Sequence, residues 1–174
     1  MILWNWVAVG ILLAFIVKVE GRGLESIALT RPGWKDIQWA VMFWGVSTAI
    51  SFVLNTIAPP VQKERLGTIM ELPFTVLVAL IFTTATAEEV LFRGYPIERL
   101  QELTGRVWPA VLISFSLFLL PHIRFFGPEW LIYNGTSVVL LYVLYVWRRN
   151  LWACMTMHFL GNALLLLPAA GIVD

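Results

Sequence analysis

The stretch Thr83-Thr84-Ala85-Thr86-Ala87-Glu88-Glu89-Val90-Leu91-Phe92-Arg93-Gly94 decides how the rest of the chain is read. Sixteen uncharged residues, 72–87, run without a break into two adjacent glutamates. A carboxylate deep in hydrocarbon costs about 2.5–3.5 kcal/mol on insertion scales and more in simulations, so two together need a reason. Helical spacing divides them. Glu89 and Arg93 stand four residues apart and meet on one face as a charge-assisted pair. Glu88 is turned by about 100° from Glu89 and keeps its charge uncommitted. Glu88 is therefore the candidate for chemistry, and Glu89 with Arg93 the candidate for support. The plainer alternative is a helix end at which both carboxylates reach headgroups and water.

Of the 174 residues 59% are hydrophobic and 13% charged, with a mean hydropathy of +0.80. A soluble domain carries about a quarter charged residues. The expectation is an integral membrane protein: an all-α, polytopic bundle of about six transmembrane helices enclosing an intramembrane polar cavity. Residues 1–174 form one such bundle, with 72–167 as its catalytic core. The lipid bilayer is its main partner, and a formal charge of +1 gives no reason to expect a nucleic acid. The single cysteine, Cys154, excludes an internal disulfide and any site of several thiolates. Residues 1–17 are uncharged and lack a basic leading segment, which reads as a retained helix and not a cleaved signal peptide.

Outward from the double glutamate, the expected spans are 1–17, 37–58, a third from about 72 through the glutamates, 107–121, 130–147 and 151–173. The third continues as an amphipathic helix through Glu98, Arg99 and Glu102, with a kink at Pro96. Pro59-Pro60 closes the second span and Gln62-Lys63-Glu64-Arg65 is a polar loop. The fourth span stops at His122, and residues 124–129, containing Gly127-Pro128, form a turn. Nine of the twelve Lys and Arg residues fall after spans one, three and five. The positive-inside rule then puts those connections in the cytoplasm, and the double glutamate in the cytoplasmic half of its helix.

Both histidines of the chain lie in or beside apolar spans: His122 closes Phe118-Leu119-Leu120-Pro121-His122, and His158 opens His158-Phe159-Leu160-Gly161-Asn162. His158 and Asn162 share one helical face. Intramembrane ionisable groups normally face one another or a wet cavity. Ser114 and Ser116 stand eight and six residues before His122 and make a weak nucleophile–base pair. A glutamate can instead act as general base on water, a histidine can hold that water, and a second histidine with an asparagine can donate to an oxyanion. The same Glu88, His122 and His158 could hold zinc with an open position. Spacing leaves both routes open. Lone histidines on separate helices and an amide one turn from His158 favour the route with no cofactor.

These residues resemble the CPBP intramembrane proteases, the family of the CAAX prenyl proteases and the bacterial Abi proteins. Its first motif is two glutamates, three residues and an arginine, as in Glu88-Glu89-Val90-Leu91-Phe92-Arg93. Phe118 to His122 matches its Phe-x-x-x-His, and His158 to Asn162 its His-x-x-x-Asn/Asp. The resemblance implies that Glu88 and His122 activate the hydrolytic water, that His158 and Asn162 hold the oxyanion, and that Glu89 and Arg93 shape the site. It also implies a membrane-associated protein or peptide substrate, prenylated or not; the expected location is the cell membrane of a prokaryote, with the site open to the cytoplasm as the charge distribution directs. Six spans are fewer than fuller members possess, so gating helices are reduced or come from a second copy in a homo-oligomer. Along straight helices His122 lies about 22 Å from the start of its span and His158 about 10 Å, a mismatch in depth. Two alternatives remain in view: a catalytically silent scaffold or immunity factor, and a haem protein with His122 and His158 as axial ligands, which leaves Glu88, Glu89, Arg93 and Asn162 idle.

Overall fold

Charged and turn-forming residues fall in short clusters between the apolar runs, and they set where the helices stop. A computed structural model describes residues 2–58 and 64–171, and among these every regular element is helical. Helix α1 (Ile2–Lys18) ends in its one basic residue. A 3-10 turn, Leu24–Ile27, leads to α2 (Trp34–Ile57), whose start is fixed by Asp36 Oδ2 accepting the Gly33 N–H at 2.7 Å. Helix α3 (Glu64–Met70) is short; α4 (Phe74–Glu88) follows Pro73. The chain then widens into a π-helical turn, Glu89–Gly94, and returns to α-helix in α5 (Tyr95–Thr104). Gly105, at φ 67°, stops α5, and Gly127, at φ 87°, stops α6 (Val107–Phe126); both backbones need the freedom that glycine gives. Helix α7 (Trp130–Arg148) is followed by Asn150, which caps α8 (Leu151–Ala163) by accepting the Ala153 N–H at 3.1 Å. The turn of α9 (Leu166–Ala169) completes the described chain.

Trp34–Ile57, the continuous Phe74–Thr104, Val107–Phe126 and Trp130–Arg148 are long and apolar enough to cross a membrane, and Ile2–Lys18 is a shorter apolar helix. Large apolar side chains such as Trp4, Phe52, Phe82, Leu112 and Leu120 cover the outside of the bundle. That is the surface of a protein solvated by lipid.

Several boundaries differ from the sequence reading. The fourth span runs through Pro121 to Phe126, so the turn shrinks to residues 127–129. The sixth is broken: α8 is 13 residues long and stops at Ala163. Lys35 and Asp36 belong to the first turn of α2 and not to a loop. Glu64 and Arg65 begin a helix where a polar loop was expected. Met1, Pro59, Pro60, Gln62, Lys63 and the 172–173 end of the sixth span lie outside the described residues.

Helix α2 packs on α7 and α8, α4 on α1 and α8, and α5 on α6. At one end of the bundle the segment after α1 tucks inward: Ile27 is fully buried, and the Leu151 N–H donates to the Ala28 carbonyl at 2.9 Å. A Cβ on Gly94 would sit 2.7 Å from Leu151 Cδ1 and 3.1 Å from the Ile27 carbonyl oxygen. This end is tied by ion pairs: Arg99 with Glu20 at 2.5 Å, Arg22 with Glu102 at 2.7 Å, Arg148 with Asp36 at 2.8 Å, and Arg149 with Glu98.

Candidate active site

Pro96 supplies no N–H to the carbonyl of Phe92, four residues before it. Ser114 Oγ of α6 donates to that carbonyl and is itself 2.9 Å from the Tyr142 hydroxyl of α7. The helical ladder is thus opened at the motif and satisfied from outside it. In the π turn the Tyr95 N–H reaches back to the Val90 carbonyl, five residues away. One residue more per turn rotates everything after it by about 100°, and such turns recur at functional sites. The hydroxyl of Ser114, weighed above as a nucleophile, is committed to this bracing.

Glu89 and Arg93 form the pair that their spacing predicts, Oε1 to Nη1 at 2.7 Å, with both side chains fully buried. The Arg93 guanidinium also lies 4.4 Å from the centre of the Phe118 ring and 4.5 Å from that of Tyr142. A buried cation is compensated here by one carboxylate and two aromatic faces. Glu89 has a second partner that the sequence does not reveal. The same Oε1 lies 2.7 Å from His158 Nδ1.

Glu88 points away from that pair, toward the two histidines. Its Oε2 is 3.9 Å from His122 Nε2 and 3.8 Å from His158 Nε2. These gaps are too long for direct hydrogen bonds, and each is short enough for one water to bridge. All three side chains are mostly buried yet reachable, 10–19% exposed. His122 Nδ1 is 2.7 Å from the Phe118 carbonyl, which can only accept, so that nitrogen carries a hydrogen and Nε2 faces Glu88. Asn162 donates from Nδ2 to Thr84 Oγ1 at 3.3 Å, and Thr84 is one turn before Glu88 on α4. The six residues singled out from the sequence are therefore gathered on α4, the π turn, α6 and α8.

The depth mismatch disappears because α6 and α8 start at different levels. Ser114 is level with Phe92, so α6 begins well beyond the motif, beside α5. Leu151, against Gly94 and Ala28, begins α8 inside the bundle. Thr84 and Trp130, which stacks on His122 at 4.8 Å, are site residues missed in the sequence. Thr84 had a signal, its position four residues before Glu88. Trp130 had none.

As a zinc donor set, Glu88, His122 and His158 fit poorly. Ligand bonds of about 2.0–2.2 Å hold tetrahedral ligand atoms roughly 3.3–3.5 Å apart, and both Glu88–histidine separations are wider. Among the described residues no group of three His, Cys, Asp or Glu side chains has a metal-holding arrangement.

Comparison with known proteins agrees with this picture of a motif-bearing core. The chain is 29% identical over 145 residues to a protein of Bacillus subtilis (strain 168) named as uncharacterized protein YpbD, an alignment covering 75% of this chain and 69% of that one. No solved structure matches significantly. Residues 70–164 match a family model described as type II CAAX prenyl endopeptidase Rce1-like. That span holds the double glutamate, both histidines and Asn162, and the chain belongs to the Rce1-like family of CAAX-type intramembrane proteases.

Proposed function

We propose that this protein is an intramembrane endopeptidase that hydrolyses a peptide bond with water activated by Glu88 and held by His122. The observation that carries the reading is the convergence of both Nε2 atoms, at 3.9 and 3.8 Å, on one oxygen of Glu88. Glu88 accepts a proton from water while the water oxygen bonds to the scissile carbonyl carbon. His122, its Nδ1–H bound to a neutral carbonyl, offers Nε2 as an acceptor for the other water hydrogen. The carbonyl electron pair moves onto its oxygen, where His158 Nε2–H and the remaining N–H of Asn162 donate. Glu89 Oε1 accepts the Nδ1–H of His158 and fixes the ring with Nε2 toward Glu88 and the substrate, as the buried carboxylate of a serine-protease triad orients its histidine. Collapse restores the carbonyl, breaks the C–N bond and sends the proton from Glu88 to the departing amine.

This scheme uses Glu88, Glu89, Arg93 and Asn162, the side chains that a bis-histidine haem leaves without a task, and it needs no metal. A silent scaffold would have no reason to hold a mostly buried carboxylate facing two histidines at the cost of burying it. The substrate class we propose is a membrane-anchored protein or peptide, prenylated or not, cut near the cytoplasmic face. A cysteine at the exposed Leu103 should accordingly label from the cytoplasm. The experiment is cleavage of matched prenylated and unprenylated membrane peptides by pure protein in liposomes, in water enriched in oxygen-18. Cleavage that survives exhaustive chelation, with one heavy oxygen in the new carboxylate and well under one zinc per chain, supports the scheme. Activity lost with zinc and restored by it would make Glu88, His122 and His158 metal ligands. No cleavage of either peptide would count against the peptidase reading.

A further inference from the structure

The ring of His122 is stacked against aromatic side chains while its two nitrogens point to other partners. Phe118 stacks on it at a centroid distance of 4.3 Å and an interplanar angle of 29°, and Trp130 at 4.8 Å and 28°. Phe126 lies 6.2 Å away at 25° and stacks in turn on Trp130 at 6.1 Å and 13°. The edges carry the two nitrogens, Nδ1 toward the Phe118 carbonyl and Nε2 toward Glu88.

The chain builds this deliberately close stack through its tight reversal. Gly127, at φ 87°, ends α6, and the Trp130 N–H donates to the Gly127 carbonyl at 3.2 Å, so the first residue of α7 lies back against α6. Asn134 holds the Trp130 carbonyl at 3.2 Å. Phe118 is fixed in its turn by Phe92, edge-on at 5.4 Å, and by the Arg93 guanidinium.

We infer that Phe118 and Trp130 form an aromatic clamp on His122, and that Trp130 is a positioning residue for the reaction although it belongs to none of the three motifs. Where catalysis is concerned, the inference rests on the proposed function. The clamp has two effects. It hinders the half-turn flip of the imidazole, which would put Cε1 where Nε2 now faces Glu88. It also sets the electron-rich indole face against the ring as positive charge builds there when His122 shares the water's proton. An aliphatic side chain keeps part of the bulk that hinders rotation but has no indole face to set against the developing charge.

The test compares Trp130→Leu with Trp130→Phe in the full chain. Leu is expected to lower kcat about 2- to 30-fold, the factor matching roughly 0.5–2 kcal/mol of ring–cation attraction, with KM unchanged. Phe, which keeps a ring, should restore most of the rate. The second readout does not depend on activity. The chain has two histidines, so carbon–proton spectra of their rings are assigned with His122→Gln and His158→Gln. Trp130→Leu should move the His122 ring signals by loss of the indole ring current and leave those of His158 in place. Unmoved His122 signals, or equal loss of kcat in Leu and Phe variants, would overturn the clamp. If the wild-type protein cleaves nothing, the functional reading fails and the ring signals alone decide the clamp.

Discussion

The Nδ1 of His158 lies 2.7 Å from Oε1 of Glu89, the same oxygen that pairs with Arg93 Nη1 at 2.7 Å. The support pair inferred from helical spacing is thus wired to His158, the histidine that the proposed reaction assigns to the oxyanion. Glu88 and Glu89 are neighbours in sequence with separate surroundings: one fully buried between a cation and an imidazole, the other facing two Nε2 atoms.

Glu89→Gln should therefore do two kinds of damage. It leaves the buried guanidinium of Arg93 without a counter-charge, for which a loss of about 3–5 kcal/mol is expected. It also removes the group that orients His158, so residual activity should fall. Thermal melting and kcat on the same preparation check both. A variant that melts like the wild type would show that Arg93 is compensated by its aromatic neighbours alone.

Gly94→Ala should destabilise by roughly 1–3 kcal/mol, the usual range for overpacking. Its Cβ would meet Leu151 Cδ1 at 2.7 Å and the Ile27 carbonyl at 3.1 Å. Shortening the movable neighbour in Gly94→Ala/Leu151→Val should recover part of the loss, because the backbone contact remains. If the double variant melts no higher than Gly94→Ala, the leucine is not the obstacle.

Glu20 links the segment after α1 to α5, and its hydrogen bonds from Arg99 hold its carboxyl below the usual carboxylate range. A depressed folded-state value means that this stabilisation is complete above the unfolded-state value and is lost as pH falls through the folded-state one. Glu20→Gln should thus be less stable than the wild type at neutral pH, with the gap closing below about pH 4.5. A gap that stays constant into acid would remove the ionised carboxylate as its cause.

How much of this was legible in the sequence depends on the range of the interaction. The apolar runs, the Glu89–Arg93 pair and the three motifs are local, and composition with spacing was enough to find them. The level of each helix was not legible. It is set by contacts such as Ser114 with the Phe92 carbonyl and Leu151 with that of Ala28, between residues far apart in the chain. The extension of α6 to Phe126 was hidden because Pro121 looked like an end, although a proline forfeits one hydrogen bond and a helix with packed neighbours can pass it. The π turn needed Pro96 and Ser114 to be considered together. The Glu89–His158 contact joins residues 69 apart and has no local sign.

The most direct measurement is the cleavage rate of Glu88→Gln beside its melting temperature, on a membrane-anchored peptide that the wild type cuts. Gln keeps the shape and removes the base, and among the described residues Glu88 makes no ion pair closer than 3.8 Å whose loss would unfold the protein. The account predicts loss of about two to four orders of magnitude in rate, the usual share of a general base, with melting unchanged. A Glu88→Gln protein that folds and cuts the peptide at the wild-type rate would contradict it.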